Sequence, residues 1–395
     1  MWRVALRMLA ADRAKFAGLV FGLAFTSFLV TFAASYFCGF MTNGYALVSE
    51  NPQVEVWVMD PAVEAVEQTT NLPPSALERV RGVPGVLDAR PLRLASIDAR
   101  FANGRVLPVQ VVAVDEITLD GVPASTTPAA VLRESDSALV DAGATEGKLL
   151  APLRAVDRWP HDGPHLDAPL RALAGGDELL INDRIVQVRG VTAIHPRFPP
   201  RPLVYMTRGT ALQVLPYERR DTTFVLVRAM PGTDAAALAA RISAGTGLRA
   251  RTSDDLISDT VRWYLVNSED VGDISAMLVL AMTMGLGVSG IMLYLFTHDR
   301  RRDYAVLRAM GLAPRTLSAM VVLQALTAAA IGAGIGLGVC AIAGVVAMHF
   351  GFPFRMLVYT PLAGVAAVLI VAVAGTLTSL APVRRLQPVE VFVMR

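Results

Sequence analysis

Long apolar runs separated by polar segments set the architecture of this chain. The runs cover residues 16–40, 274–297, 317–348 and 358–380, and each exceeds the ~20 residues that a helix needs to cross a hydrocarbon core about 30 Å thick. A mixed stretch, 41–273, separates the first run from the second. The pattern predicts a membrane protein with four transmembrane α-helices in a 1+3 arrangement. A large α+β extracytoplasmic domain is then inserted between the first and second helices.

The first 40 residues predict an amphipathic lead-in followed by the first transmembrane helix. Trp2, Leu6 and Leu9 recur at helical spacing among basic residues, a pattern typical of helices in the membrane interface. The uncharged run that follows is longer than the ~7–15 apolar residues of a signal-peptide core. We therefore predict an uncleaved membrane helix.

The mixed stretch combines strand and helix patterns. Asn103-Gly104 predicts a hairpin turn between two strand-like runs. Prolines and glycines loosen residues 123–177, which predicts a loop-rich lobe inserted between two separated α+β stretches. Residues 253–273 have a polar-faced helical pattern without a breaker, and we expect a stalk that leads into the second span.

A short basic segment, 299–315, joins the second and third spans, and we call it the elbow. Its three consecutive arginines, Arg300 to Arg302, would each cost roughly 3 kcal/mol near the bilayer centre, so the elbow must lie in solvent. Helical spacing of its apolar residues predicts a short helix that Gly311 and Pro314 end. An elbow of this kind is a place where a soluble partner can act on the membrane helices.

Charge gives the expected orientation. Four basic residues stand against one acidic residue in 1–15, five against two in the elbow, and three against one in 384–395. The whole chain carries a net charge of only +2, so the rest of it is acidic on balance. Short basic segments stay in the cytoplasm. We therefore expect both termini and the elbow to be cytoplasmic, in a multi-pass protein of the bacterial plasma (inner) membrane.

Several functional classes are disfavoured. The nearest approach to a phosphate loop, residues 143–149, has the wrong spacing, so we expect no ATP hydrolysis by this chain, no cofactor and no catalytic residues. His161 and His165, with Asp162 and Asp167, fall in a Pro/Gly-rich loop that we interpret as solvated rather than as a metal site. The spans lack acidic residues, which argues against ion-coupled transport, and the acidic outer stretch argues against nucleic acid.

Small residues recur at helix-packing spacing inside the second and third spans. Close approach of helices in lipid needs such residues. They would serve either sliding or dimer contacts, or ordinary packing within one subunit, and the sequence leaves both open. The residues are Gly285, Ser289, Gly332, Gly334, Gly336 and Gly338.

A family resemblance covers essentially the whole chain. It is carried by Tyr294, Arg302-Asp303, and residues 305–311, 324–326, 382–385 and 388–390. In these residues the segment 274–395 resembles the FtsX/MacB-type permease domain of bacterial ABC transporters, and 41–273 resembles the MacB-like core domain of that family. The family usually has Glu at the positions of Asp303 and Gln324. The chain looks most like the DevC-type permeases, whose ATPase is a separate subunit.

The resemblance implies a permease subunit that transmits ATP-driven motion to its periplasmic domain for efflux or extrusion of a substrate. The alternative is an FtsX-like signalling transmitter that activates a periplasmic cell-wall hydrolase without moving cargo, and a passive receptor is a third reading. The implied partners are an ABC ATPase subunit, a second permease protomer in a homodimer, a periplasmic adaptor (membrane-fusion protein) and membrane lipid. The residues that we expect to dock the ATPase are Arg300, Arg301, Arg302, Asp303, Tyr304, Leu307, Arg308 and Gly311.

Overall fold

The structure is a computed structural model that describes residues 8–9, 12–123, 127–141, 149–152, 163–192, 197, 201–299 and 301–385. The chain divides into two compact units, one formed by Met1–Phe40 with Ser268–Arg395 and the other by Met41–Asn267. We call them the helical unit and the sheet unit. The α-helices are α1 (Arg13–Gly44), α2 (Ala46–Ser49), α3 (Ala76–Arg81), α4 (Arg208–Val214), α5 (Ala235–Thr246), α6 (Ser253–Asn267), α7 (Glu269–Asp299), α8 (Arg301–Ala309), α9 (Pro314–His349) and α10 (Tyr359–Arg385).

Four of these helices, α1, α7, α9 and α10, are long and apolar enough to cross a membrane, which confirms the four predicted apolar helices within the described residues. Helices α1, α7 and α9 extend beyond the predicted apolar runs at both ends, whereas α10 begins one residue after its run begins and extends beyond it only at the C-terminal end. Hydropathy marks only the apolar part of a helix, whereas its hydrogen bonding continues into the flanking polar residues.

Contacts at the two ends of the helical unit fix the direction of its helices. At one end Lys15 forms ion pairs with Asp12 and Asp299, so the start of α1 lies beside the end of α7. At the other end the Arg355 backbone N–H donates to the Ser35 carbonyl at 3.0 Å, and Ser35 contacts Thr360. The elbow and the start of α1 therefore share one end, and the α9–α10 connection lies at the other.

The sheet unit is built on a nine-stranded mixed sheet with the order β11-β1-β10-β2-β3-β9-β4-β8-β7. A separate pair, β5 with β6, is antiparallel. The strands are β1 (Val56–Met59), β2 (Val86–Arg100), β3 (Val106–Val114), β4 (Ser137–Asp141), β5 (Leu150–Pro152), β6 (Leu170–Ala172), β7 (Glu178–Ile181), β8 (Arg184–Thr192), β9 (Leu203–Thr207), β10 (Phe224–Ala229) and β11 (Arg249–Thr252). Short 3-10 helices cover Ala129–Arg133 and Tyr217–Arg219.

The first and last parts of the sheet unit share one half of this sheet. Strands β1 and β2 flank α3, strands β10 and β11 flank α5, and the four strands pair antiparallel in the order β11-β1-β10-β2. This is a split β-α-β arrangement. The two helices cover one face, where valines of β1 and β10 pack against Val80 and Leu238. The opposite face buries Trp57, Phe224 and Leu256, the last from α6.

The expected continuous stalk is instead two helices. Helix α6 ends at Asn267 and α7 begins at Glu269. At the end of α6, the Asn267 side chain also donates to the Trp263 carbonyl one turn earlier, at 2.9 Å. Ser268 followed by Glu269 and Asp270 is a helix-start signature, because a small polar residue precedes an acidic first turn. The sequence carried this signal, and the prediction of an unbroken helix was wrong.

Candidate functional site

Backbone hydrogen bonds stop the elbow helix α8 abruptly. The Leu312 N–H donates to the Leu307 carbonyl at 3.2 Å, and the Gly311 N–H donates to the Arg308 carbonyl at 3.0 Å. Gly311 has a φ of +95°, which is the left-handed conformation that this C-terminal motif requires. Pro314 then occupies the first turn of α9. The elbow is therefore a fixed helix–turn–helix corner rather than a loose loop.

Tyr304 ties α8 to the next membrane helix. Its side chain is completely buried, and its hydroxyl donates to the Gln324 Oε1 at 3.0 Å. Its ring lies in a cluster with Leu317, Met320 and Val321 of α9. Leu307 and Leu312 pack against the same cluster, and this is the hydrophobic contact that usually accompanies the capping motif. These side chains therefore pack α8 directly against α9.

The predicted docking residues separate into three groups in the structure. Arg300 lies outside the described residues, and of Arg301 and Arg302 the structure describes only the helical backbone. Asp303 and Gly311 are exposed and Arg308 is half-buried. Tyr304 and Leu307, which we expected to dock the ATPase, contribute to the internal cluster with α9. The apolar spacing of the elbow identifies an amphipathic helix, but the side of it that α9 covers depends on tertiary packing.

The apolar residues that α8 exposes are ones that the sequence analysis did not select. Val306 is 41% exposed and Met310 is 66% exposed. With Asp303 they follow at intervals of three and four residues, so they share one face of the helix. We call Asp303, Val306 and Met310 the elbow stripe. The same spacing is visible in the sequence, but only the burial of Tyr304 shows which face of the helix is exposed.

The small residues of α9 fall into two groups, one that faces α1 and one that does not. A Cβ on Gly332 would lie 2.7 Å from the Leu23 Cβ, and one on Gly336 would meet the Ala24 carbonyl oxygen and lie 2.5 Å from the Ser27 Cβ. Because both positions lack a side chain, α9 can pack closely against α1. By contrast, a Cβ on Gly334 or Gly338 would meet no described atom within 4 Å, and both positions are exposed.

Helix α7 approaches α1 in the same way. A Cβ on Gly285 would collide with the Thr26 side chain, and one on Gly22 would lie 2.8 Å from the Ser289 Oγ. Ser289 is buried, and its hydroxyl has no hydrogen-bond partner among the described residues. Helix α1 is thus held between α7 and α9 through small residues. Four of the six predicted packing residues serve contacts inside one chain.

Helix α6 is fixed to the sheet by polar contacts along its length. The Ser253 Oγ accepts from the Trp57 Nε1 at 3.1 Å and donates to the Val54 carbonyl at 2.7 Å. The Val66 backbone N–H donates to the Thr260 Oγ1 at 3.3 Å. The Tyr264 hydroxyl donates to the Glu67 Oε2 at 2.8 Å, and burial of the ring raises the Tyr264 pKa, so this donor stays protonated. The helix therefore moves as part of the sheet unit.

Asp259 joins α6 to the edge strand β11. Its carboxylate accepts from Arg249 at 2.8 Å and from Arg251 at 2.6 and 3.0 Å. Burial acts to raise the pKa of Asp259, but the hydrogen bonds from Arg251 and Arg249 outweigh it and hold the pKa below its ordinary value of 3.8. The folded state thus favours the ionised carboxylate, and the pair stabilises the protein above that ordinary value. The stabilisation is lost as pH falls through the lowered pKa.

We expect Asp259→Asn to loosen α6 at neutral pH by about 1.5 to 3 kcal/mol, because it removes hydrogen bonds to a charged group and leaves two arginines without their carboxylate. Hydrogen exchange of the α6 amides in the full chain measures this. The difference from the unsubstituted protein should shrink below about pH 4, where that protein also loses the charge. Asp254→Asn on the same helix is the control, because Asp254 is exposed, and it should cost under about 1 kcal/mol. Equal effects of the two substitutions would contradict this role of Asp259.

The two ends of the sheet unit lie close together. A Cβ on Gly44, at the end of α1, would lie only 2.6 Å from the Cε2 of Tyr264 near the end of α6. The segment that enters the sheet unit and the helix that leaves it are therefore in contact.

The loop histidines do not form a described cluster. His161 and Asp162 lie outside the described residues, whereas His165 and Asp167 are exposed. Within the described parts of the chain, no group of three His, Cys, Asp or Glu residues is placed to hold a metal ion.

Known proteins resemble the chain in both parts. Its sequence is 27% identical over 217 residues to uncharacterized ABC transporter permeases of Mycobacterium bovis and Mycobacterium tuberculosis. The alignment covers 54% of this chain and 56% of each relative, so the chain matches about half the length of these curated relatives.

Two solved structures resemble the fold. One is the periplasmic region of MacB from Actinobacillus actinomycetemcomitans, at 11% identity and a TM-score of 0.35, covering 55% of this chain and 94% of that one. The other is the extracellular domain of the noncanonic ABC-type transporter YknZ from Gram-positive bacteria, at 12% identity and a TM-score of 0.32, covering 50% of this chain and 98% of that one. The family model that describes the FtsX-like permease C-terminal domain matches residues 275–387. Residues 275–387 are therefore similar to an FtsX-like permease C-terminal domain, and the chain is similar in sequence to ABC transporter permeases.

Proposed function

We propose that this chain is the transmembrane subunit of an ABC-type exporter or extruder of the bacterial plasma (inner) membrane. A separate ATPase subunit binds the elbow, and its nucleotide cycle moves the sheet unit, which lies outside the cytoplasm. The observation that carries the proposal is the elbow itself. It is a capped helix, tied to α9 by Tyr304, that presents the elbow stripe to solvent.

Contacts within the helical unit support mechanical transmission. The elbow packs on α9 through Tyr304, and α9 packs on α1 through Gly332 and Gly336. Helix α1 continues to Gly44, where the sheet unit has begun. Rigid helices in direct contact can carry a displacement from one end of the helical unit to the other, because packed interfaces shift between discrete arrangements rather than deforming.

Charge and polarity support the orientation and the mode of action. The basic segments at both ends of the chain and in the elbow are the ones that the positive-inside rule retains in the cytoplasm. The buried polar side chains of the described spans, among them Thr26, Ser35 and Gln324, are all uncharged. This favours transmission of force over conduction of a charged substrate through the bundle. ATP hydrolysis then belongs to the partner.

We expect the double substitution Val306→Glu and Met310→Glu to remove the ATPase from the purified complex. Both side chains are exposed and apolar, so the change leaves the fold intact but places two charges in the docking surface. The measurement is purification of the tagged chain from its own bacterium. ATPase activity and mass-spectrometric detection of a Walker-motif protein are then read in the same fraction.

The matched control is Phe350→Glu, which makes the same kind of change at an exposed apolar residue at the other end of the bundle. It should retain the ATPase. The proposed docking surface is wrong if the double variant retains the ATPase at the level of the control, and the ATPase coupling itself is wrong if no such protein accompanies the unsubstituted chain.

We further propose a homodimer and a periplasmic adaptor as partners. Gly334 and Gly338, which no described residue covers, supply the small-residue face that close contact between two helices in lipid requires. A signalling transmitter that activates a periplasmic cell-wall hydrolase would use the same mechanical parts. The two functions differ in whether a substrate leaves the cell when the ATPase turns over, and whether the sheet unit retains an adaptor or a hydrolase.

A further inference from the structure

A polar cavity of about 230 Å³ lies within the sheet unit and has no role in the coupling described above. Its apolar walls include Leu47 and Leu94, and its polar lining includes Ser96, Gln110 and two arginines, Arg197 and Arg201. The volume is below the roughly 300–1,000 Å³ of sites that enclose a whole drug-sized molecule. The cavity therefore fits a small molecule or the polar end of a larger one.

Arg197 is buried with unused hydrogen-bonding capacity. It is 7% exposed, and its Nη2 donates to the Glu50 Oε2 at 3.2 Å and to the Tyr205 hydroxyl at 2.9 Å. Its Nε and Nη1 are buried and have no hydrogen-bond partner among the described residues. Buried donors without an acceptor are costly and rare in folded proteins. An anion bound beside Arg197 would offset the cost of burying this cation.

The sheet register brings Arg201 to the same cavity. Arg201 precedes Leu203 by two residues, and Leu203 pairs with Gln110, which in turn pairs with Ser96. The Arg201 Nη1 donates to the Ser96 Oγ at 2.6 Å, and in the described residues Arg201 forms no ion pair. A second guanidinium, with its charge not neutralised by a carboxylate, therefore lines the cavity beside the buried one.

The acidic groups at the cavity limit how much negative charge it accepts. Glu50 already pairs with Arg197, and Glu67 on the lining accepts from the Tyr264 hydroxyl. Two guanidiniums facing these two carboxylates favour an anion of low charge. Arginine matches planar and tetrahedral oxyanions because its N–H groups form a rigid fork.

We propose that this cavity binds a singly charged oxyanion, a carboxylate or a phosphodiester, with Arg197 and Arg201 as its ligands. Leu47 and Leu94 contact the carbon atoms attached to the anion. The anion comes either from a small free molecule or from the headgroup of a lipid. This site goes beyond the proposed function and does not depend on it, because binding is measured on this chain without an ATPase.

The test is calorimetric titration of the full chain in a neutral detergent and a phosphate-free buffer. The probes are acetate, dimethyl phosphate, dihexanoyl phosphatidylglycerol and, as the uncharged reference, dihexanoylglycerol. We expect at least one anionic probe to bind and the neutral lipid not to bind. Arg201→Gln and Arg197→Gln should each weaken that binding about ten-fold or more, since each removes hydrogen bonds to a charged group.

Arg184→Gln is the matched control, because Arg184 is an exposed arginine of the same sheet, and it should leave the affinity unchanged. Arg197→Gln removes the ion pair with Glu50 and can disturb the fold. If the thermal unfolding of Arg197→Gln is altered, the affinity of Arg201→Gln alone tests the proposal. Binding of the free anions assigns a small free oxyanion, and binding of phosphatidylglycerol alone assigns a lipid headgroup. The proposal is overturned if no anionic probe binds, or if Arg201→Gln binds as tightly as Arg184→Gln.

Discussion

Gly336→Leu should destabilise the four-helix bundle by about 3 kcal/mol, because the new side chain has no space between α9 and α1. Even its first carbon would meet the Ala24 carbonyl oxygen and the Ser27 side chain, and backbone cannot move aside as a flexible side chain can. The chain contains its own probe for this measurement. Cys38 and Cys340 are its two cysteines, and both are buried in the helical unit. A thiol-reactive fluorophore added during heating therefore reports when the bundle opens.

Gly334→Leu is the matched control, because it makes the same change two residues away where a Cβ meets no described atom within 4 Å. It should leave the unfolding temperature of the single chain within error. If Gly334 lies in the proposed homodimer contact, this variant changes the oligomeric state instead, which size-exclusion chromatography separates from stability. Equal unfolding temperatures for Gly336→Leu and the unsubstituted chain would contradict the packing of α9 on α1.

Tyr304→Ala should detach the elbow from α9 and uncouple the ATPase from transport. Removing a fully buried ring costs about 3 to 5 kcal/mol at its site, and α8 is only nine residues long. We expect hydrogen exchange to accelerate across 301–312. On the proposed function, the elbow stripe still binds the ATPase, so nucleotide hydrolysis continues while substrate export is lost.

Tyr304→Phe separates the ring from its hydroxyl. It keeps the cluster with Leu317 and Met320 and removes the hydrogen bond from the hydroxyl to Gln324, which costs about 1 kcal/mol. We expect export close to that of the unsubstituted protein. Retention of both slow exchange and full export by Tyr304→Ala would show that the elbow does not act through this residue.

The membrane helices and the elbow were predictable because their signals are local. An apolar run of sufficient length identifies a span, and the Gly311 and Pro314 positions identify a corner without reference to any other segment. The exposed side of the elbow was not predictable in this way. The partner of Tyr304 is Gln324, twenty positions further along the chain, and amphipathic spacing shows only which residues share a face.

Much of the sheet unit also depends on long-range pairing. The hairpin at Asn103-Gly104 followed from its turn residues, and β2 and β3 flank it. The parallel pairing of β3 with β9 places Gln110 opposite Leu203, and no local pattern encodes it. The cavity has the same origin, because Arg197, which lines it, is paired with Glu50 from 147 positions earlier in the chain.

The contact between Gly44 and Tyr264 brings together the two ends of a segment of about 220 residues, and such a segment can be moved between proteins as a unit. Chain ends that lie side by side allow a whole domain to be inserted into, or removed from, a host protein with little disturbance. On the proposed function, a lineage of permeases can exchange the domain that it presents outside the cytoplasm through a single grafting event. The helical unit, which carries the elbow, would keep its own sequence through such an exchange.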